Sequence, residues 1–442
     1  MIGGGTLPAS SRPFFAARIV ALVAGLVGAV VTARLLGPDG RGALSLFSFA
    51  VLFFAALLGL GIPIGSYDVV ARGVARPAAV VQVTMGLAVA AGVVAAAIGA
   101  ALVAISSGSS GGVTPSVIVV GLGIGVMGMI ASQASGYILL AIGAYRRAAI
   151  VQSAQPILAA IAFVIALIPL DGGIDGAIAA AAGASLVAGV GGLGLAWRMT
   201  DHAVAATVTE ASVLVYRGIR TLGSELANVL SYRIDTVLVA AIAGVAALGR
   251  YGVAVQLLEP LWVVASSLAM GLLGLAAADA ASAAVSNTTG AAVRASILVC
   301  IVGGLLGTGI VAIAGPALLG PGFGSVPLVM LCLVPGIAAL GASKVLAAAV
   351  IGRGGLAIGS VIATIVVVTN VVINLVLIPR FDDVGAALAS SGSYGLSAIL
   401  WIVAWRRHGG RLSGRDVIPG PADAIALLRL LHVRGPAGEP AG

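Results

Sequence analysis

Twelve runs of mostly apolar residues, each long enough to cross a bilayer, follow one another along the chain with short polar turns between them. Few folds accept that segmentation. A helix needs about 20 such residues to cross the hydrocarbon core, and by that measure the runs lie near 14–34, 42–66, 78–105, 114–142, 148–169, 174–196, 220–243, 247–278, 292–314, 325–351, 355–378 and 384–404. Only 9% of the 442 residues are charged, against about 25% in ordinary globular domains. The expected fold class is therefore an all-α polytopic membrane protein of twelve transmembrane helices. The 64 glycines suit close helix packing through small-residue faces.

Charge placement supplies direction. The formal charge is +8, but the arginines stand singly between apolar runs and form no basic stripe, so nucleic acid is not an expected partner. With the amino terminus inside, the inner face receives Arg12, Arg18, Arg72, Arg76, Arg146, Arg147, Arg198, Arg217, Arg220, Arg294, Arg353 and the basic residues of the tail. The outer face receives Arg34, Arg41, Arg250 and Arg380, and the turns 106–112 and 315–324 carry no charge. This positive-inside bias predicts a multi-pass protein of the cell membrane with both termini cytoplasmic. The apolar run from Phe14 belongs to the first span rather than to a cleavable signal. The expected order is an amino-terminal segment (1–13), a first six-helix lobe (14–196), a cytoplasmic connection (197–219), a second six-helix lobe (220–405) and a basic Gly/Pro-rich tail (406–442). The connection reads either as an amphipathic helix on the inner surface or as a plain linker.

The chain repeats itself. ARLLGPDGRGALSLF (33–47) follows the first span and VAAIAGVAALGRYGVAV (239–255) follows the seventh, placing Gly37 on Gly244 and Gly40-Arg41 on Gly249-Arg250. LIPLDGGIDGAIAA (167–180) precedes the sixth span and LIPRFDDVGAALAS (377–390) the twelfth, placing Pro169 on Pro379 and Gly176 on Gly385. Two matches at nearly one offset predict two six-helix repeats. An even number of spans per repeat makes them parallel, about an axis along the membrane normal, with a central cavity between them.

The loop LLGPDGRGALSLF, the stretch SYRIDTVLVAAIAGVAALGRYGVAVQLLEPLW and the stretch NLVLIPRFDDVGAALAS together resemble the polysaccharide-flippase branch of the multidrug/oligosaccharidyl-lipid/polysaccharide exporter superfamily. The resemblance covers about residues 12–405. It implies a V-shaped pair of lobes around a central cleft. It also implies movement of undecaprenyl-diphosphate-linked oligosaccharide from the inner to the outer leaflet, coupled to an ion or to the membrane potential. The partners implied are the lipid-linked oligosaccharide, membrane lipids, and glycosyltransferases or a polysaccharide polymerase of the same pathway. Alternatives of the same fold are a lipid II flippase or a small-molecule exporter, with a non-transporting scaffold as a further alternative. Lipid II flippases commonly carry two additional helices for which this chain has no room.

The polar residues inside the spans are the candidate functional groups, because charges at bilayer depth usually face a protein interior or a wet cavity. Ser224–Ala254 concentrates them, with Glu225, Asn228, Arg233 and Asp235 in one span-length helix. A diphosphate needs cationic hydrogen-bond donors, which Arg supplies in bidentate geometry. Arg233 is the first candidate contact, Arg18 its possible counterpart across the cleft, and Lys344 of the tenth span a third; each has a structural alternative as an ion-pair partner, an inner-face anchor or a snorkelling side chain. Asn370 and Asn374 share a face of the eleventh span, and with Gln133, Gln152 and Gln155 they are cavity-lining or interhelix groups. Asp235 is read as a cation or proton site or as a packing residue. Glu259 followed by Pro260 interrupts the eighth span, where a carboxylate beside a kink is a gating or coupling group or simply a buried, paired Glu. Asp68 and Arg72 at i, i+4 are suited to an ordinary ion pair.

No cofactor or metal is expected. Cys300 and Cys332 lie in apolar runs, His202, His408 and His432 are isolated, and GPDGRG lacks the Gly-Lys-Ser/Thr ending of a phosphate loop. No ordered carboxylate pair or His cluster marks an enzyme.

Overall fold

The computed structural model describes residues 12–105, 112–200, 205–278, 283–410 and 419–420. Most of the amino-terminal segment 1–13, nearly all of the outer turn 106–112 and nearly all of the tail beyond 410 lie outside the described residues. Every regular element described is a helix: α1 (Arg12–Leu58), α2 (Ile62–Ala71), α3 (Pro77–Ile105), α4 (Pro115–Ala141), α5 (Tyr145–Leu167), α6 (Gly173–Arg198), α7 (Val208–Ile242), α8 (Val245–Ala278), α9 (Ala283–Leu319), α10 (Val326–Gly352) and α11 (Leu356–Arg407). Among the described residues, eight helices are long and apolar enough to cross a membrane. Two of those eight, α1 and α11, are bent pairs, broken at Gly37 and Asp382. Counting each pair as two arms and the ten-residue α2 as a continuation of the second arm, the described chain has twelve membrane-length arms. The protein is an all-α, multi-pass membrane protein, as the apolar runs predict.

The repeat is written into the turns. Gly37 and Gly244 both have positive φ, at 68° and 91°, and so do Gly143 and Gly354, at 78° and 90°. Asp171 and Asp382 likewise share a positive φ, at 46° and 48°, which is uncommon for a residue with a side chain. The members of these pairs stand 207 to 211 positions apart. Side chains repeat the pattern. The Thr114 amide, before α4, donates to the Asp175 carboxylate at the start of α6 at 2.9 Å. The Ser325 hydroxyl, before α10, donates to Asp383 in the second arm of α11 at 2.7 Å. In each repeat the start of the fourth helix is thus tied to an acid at the start of the sixth.

The chain divides into two compact units. Unit 1 holds residues 1–256 and 315–324; unit 2 holds 257–314 and 325–442. In unit 1, α4 is central, with 56% of its most apolar window buried, against 22% for α5 at the lipid-facing side. Backbone contact explains how α4 sits so deep: a Cβ on Gly92 would lie 2.8 Å from the Gly123 carbonyl oxygen, and one on Gly189 2.5 Å from that of Gly128. Glycine therefore lets α3 and α6 touch α4 directly, the usual way membrane helices gain contact without a hydrophobic driving force. In unit 2, α10 takes the equivalent place with 67% buried. The fully buried Trp405 closes the end of that unit, with the Arg353 guanidinium 4.1 Å above its ring.

Helices flank the described part of 197–219. Helix α6 runs to Arg198, and α7 starts at Val208 and continues unbroken to Ile242. A capping box starts it: the Glu210 amide donates to Thr207 Oγ1, and the Thr207 amide and hydroxyl donate to the Glu210 carboxylate. The first turns of α7 are then fastened to the α2–α3 turn. Arg76 donates to both Glu210 oxygens at 2.8 Å, and Arg217 to Asp68 at 2.6 Å. Arg72 reaches the other Asp68 oxygen at 2.5 Å, the i, i+4 pair that the spacing predicts. The Arg76 guanidinium holds the Glu210 carboxyl well below the ordinary glutamate range, and Arg72 and Arg217 lower that of Asp68.

Candidate functional site

Two polar groupings form inside the helices, one in each unit. In unit 1, α1, α7 and α8 bring together Arg41, Arg233, Asp235, Tyr251 and Gln256. The sequence places Arg41 in an outer loop. The structure corrects this: Arg41 lies on the second arm of α1 and is only 8% exposed. Proline explains the difference, since Pro38 directly follows the left-handed Gly37 and its preset φ starts the new arm at once, before Arg41 is reached. The Arg41 guanidinium donates to Ser45 Oγ at 2.8 Å and to Gln256 Oε1 at 2.5 Å, and Gln256 Nε2 donates to the Gly25 carbonyl at 3.1 Å. Gln256 thus links Arg41 to the first arm of α1.

Asp235, on α7, is buried, and its carboxylate accepts the Tyr251 hydroxyl at 2.5 Å and the Thr236 amide at 2.8 Å. Arg233 is half-buried on the same helix. Its charge acts on Asp235 with opposite sign and on Arg41 with like sign. Arg233 thus links two guanidiniums and one carboxylate electrostatically, a set with more positive than negative groups. Arg18 belongs to the same unit but is exposed on the first arm of α1.

A glycine crossing lies beside this group. A Cβ on Gly42 would stand 1.9 Å from the Val245 carbonyl oxygen, and one on Gly249 2.0 Å from that of Pro38. At the 207-residue offset of the Gly37 and Gly244 turns, Pro38 corresponds to Val245 and Gly42 to Gly249, so the contact is reciprocal; this corrects by two positions the match of Gly40 to Gly249 read from the sequence. Gly252 meets its own equivalent Ser45 across the same crossing, at 3.1 Å from the hydroxyl. Only hydrogen at these α-carbons lets α1 and α8 approach so closely.

The second grouping is in unit 2. Lys344, half-buried on α10, holds its ammonium 5.5 Å from the centroid of the Trp262 ring on α8, within cation–π range. Glu259 is one turn before Trp262, so the two share a face of α8, and Pro260 sits within the helix between them. On α11, Asn370 and Asn374 are buried. Asn370 Nδ2 donates to Ser393 Oγ at 3.0 Å, and Asn374 Nδ2 donates to the Asn370 carbonyl and side-chain oxygens at 2.9 Å each. These amides join the two arms of α11. Of the residues expected at a site, the structure thus gathers Arg233 with Asp235 in unit 1 and Asn370 with Asn374 in unit 2, and places Lys344 against the α8 face that carries Glu259.

Arg41, Tyr251 and Gln256 are absent from the sequence-derived candidates. Arg41 stands in the repeat alignment, on Arg250, but the neighbours that make these three residues polar partners are set by where the helices cross.

Comparison with known proteins places the fold. No protein-family model matches the chain, and no curated protein matches it. Among solved structures, a lipid II flippase MurJ in an inward closed conformation superposes with a TM-score of 0.73 at 12% identity, over 95% of this chain and 91% of that one. An inward-facing multidrug resistance MATE family transporter of the MOP superfamily gives 0.69 at 15% identity, over 90% and 98%. A MOP superfamily transporter from Pyrococcus furiosus gives 0.52 at 15%, over 90% and 94%. The chain has the fold of these transporters over nearly its whole length.

Proposed function

We propose that this protein is a transporter of the MOP-superfamily type that moves undecaprenyl-diphosphate-linked oligosaccharide from the inner to the outer leaflet for surface polysaccharide synthesis, coupled to an ion or to the membrane potential. The observation that carries the reading is the pair of guanidiniums in unit 1, where Arg233 is within electrostatic reach both of Arg41 and of Asp235, the carboxylate that Tyr251 already engages. A diphosphate carried through hydrocarbon needs such donors, since neither it nor its glycan crosses unaided. Arg233, half-buried, is the contact residue, and the fixed Arg41 strengthens the positive field beside it. Arg18, Lys344, Asn370 and Asn374 are the further substrate contacts in this reading, with Asp235, Glu259 and Pro260 in coupling or gating. Glycosyltransferases or a polysaccharide polymerase would supply and consume the substrate. The likeness to a lipid II flippase supports a lipid-linked substrate and keeps a peptidoglycan precursor as the second reading.

The test is translocation in proteoliposomes with defined undecaprenyl-diphosphate glycans. Arg233→Ala should lower the rate by roughly tenfold or more, the size of one missing charge-assisted bond of about 1.5–3 kcal/mol, while the protein stays folded. Arg233→Lys should recover only part, because a point charge lacks the bidentate fork. Full activity in Arg233→Ala would remove Arg233 from the site, and equal transport of an uncharged drug-like cargo would favour an exporter.

A further inference from the structure

Helix α7 has one side that packs on protein and one that does not. Leu214, Gly218 and Val229 are buried, and a Cβ on Gly218 would stand 2.6 Å from the Leu60 carbonyl oxygen, so this side meets the turn that leads into α2. At about 3.6 residues per turn, the opposite side carries Arg220, Ser224, Ala227, Asn228 and Ser231; the first four are exposed and Ser231 is half-buried. Glu225 falls on the packed side, where its Oε2 is enclosed. The helix has 35 residues, and about 20 of them suffice to cross the hydrocarbon core. Counted back from its outer end at Ile242, those begin near Gly223, just beyond the turns that carry the inner ion pairs. On other helices the exposed positions are large and apolar, such as Ile161 and Ile165 on α5 and Leu306 and Ile310 on α9, and the outer half of α7 follows them with Val237 and Ile242. The inner half departs from that rule, exposing Gly223, Ser224, Ala227 and Asn228. Amide and hydroxyl groups at that depth face water rather than lipid.

This wet face presents hydrogen-bonding groups and a cation, with its one nearby acid turned away. The Asn228 amide has two donors and an acceptor oxygen. The Ser224 and Ser231 hydroxyls donate to the Thr221 and Ala227 carbonyls at 2.8 and 2.6 Å, which leaves their oxygens to accept. Gly223 and Ala227 leave room beside them. At the inner end the exposed Arg220 guanidinium lies 5.9 Å from the Tyr216 ring centroid, whereas Arg72, Arg76 and Arg217 are held by carboxylates. A ring contact at an exposed site is weak, and a phosphate oxyanion outcompetes it. An apolar cationic drug would meet repulsion at Arg220 and no apolar wall beyond it. We infer that this face is an entry subsite for the headgroup of a lipid-linked glycan: Arg220 meets the diphosphate at the inner surface, and Ser224, Asn228 and Ser231 pair with sugar hydroxyls in place of water. The inference rests on the substrate reading above and gives the headgroup a place before Arg233, which stands 13 residues, or about 20 Å, further along the helix.

The test uses the full-length protein in inside-out proteoliposomes, with Cys300 and Cys332 replaced and a membrane-impermeant, sulfonate-bearing thiol reagent applied at the inner face. Ser224→Cys and Asn228→Cys should label, and Val237→Cys and Ile161→Cys should not. An undecaprenyl-diphosphate glycan that the wild type translocates should slow labelling of Asn228→Cys severalfold, and undecaprenyl diphosphate without sugar should not. Arg220→Ala should raise KM for that glycan by roughly tenfold with kcat nearly unchanged, as loss of an entry contact requires. Absence of labelling at 224 and 228, labelling that the glycan leaves unchanged, or an unaltered KM in Arg220→Ala overturns the assignment. Each can occur while Arg233→Ala still abolishes transport, so the subsite can fail alone. A wild type that carries no such glycan refutes the substrate reading, and the occupant named here with it.

Discussion

Replacing Gly42 by alanine puts the reciprocal crossing of α1 and α8 to a quantitative test. The new methyl would stand 1.9 Å from the Val245 carbonyl oxygen, where ordinary contact begins near 3.4 Å. The helices must therefore part by about 1.5 Å, and the obstructing atom is backbone, which has no rotamer to yield. Overpacking of this kind costs about 1–3 kcal/mol, and breaking the close Cα–H···O approach adds about 0.5–1 kcal/mol. Alanine returns up to about 1 kcal/mol through its better helix propensity, so the steric term wins and Gly42→Ala should be net destabilising by about 1–3 kcal/mol. Gly183 and Gly191 of α6 provide the control, because a Cβ there meets nothing within 4 Å; alanine at either should be neutral or stabilising. Gly249→Ala should match Gly42→Ala, since its methyl would lie 2.0 Å from the Pro38 oxygen. The double variant should cost less than the two singles together, because one parting of the helices relieves both clashes. Unfolding followed by tryptophan fluorescence in nanodiscs measures all five. If Gly42→Ala and Gly249→Ala are as stable as Gly183→Ala, the crossing is not a close backbone contact and the reasoning is wrong.

The same crossing accepts a covalent probe: a Cβ at Gly252 would lie 3.9 Å from that of Ser45, inside the disulfide range of about 3.5–4.5 Å. With Cys300 and Cys332 replaced, Ser45→Cys with Gly252→Cys should crosslink on mild oxidation, seen as a gel shift after proteolysis between the two sites, and Gly42→Ala should suppress it. The fastening of α7 predicts an acid limb. Glu210 and Asp68 titrate below their ordinary values of about 4.5 and 3.8 when folded, so they contribute stability in full above those values and lose it as pH falls toward the lowered folded ones. Denaturation followed between neutral pH and about pH 3 should show that loss, with Glu210→Gln lacking its share; an unchanged acid limb in Glu210→Gln would show that the Arg76–Glu210 bridge adds no stability.

How far the sequence can be read differs from feature to feature. The Pro38, Pro169 and Pro379 punctuation and the paired glycines are local, so the turns are legible: Gly37 with Gly244 and Asp171 with Asp382 share positive φ at matching places in the two repeats. Arg41 reads as a loop residue because its burial depends on where α8 passes, which no window of neighbouring residues contains. The inner fastening is half legible. The spacing of Asp68 and Arg72 shows their pairing, but Arg217 and Glu210 stand more than a hundred residues from their partners.

The sequence by itself determined the class, the twelve helical arms and the repeat. Those follow from apolar run length and from turn residues, which act over a few positions through solvation and backbone sterics. Only the tertiary structure decided which polar residues meet. Arg41 on α1 reaches Gln256 on α8 where hydrogen alone at Gly42 and Gly249 lets the two backbones close to contact distance, and Asp235 meets Tyr251 where α7 lies beside α8. In a chain where nearly every helix face is apolar, hydropathy does not distinguish the face that meets lipid from the face that meets protein.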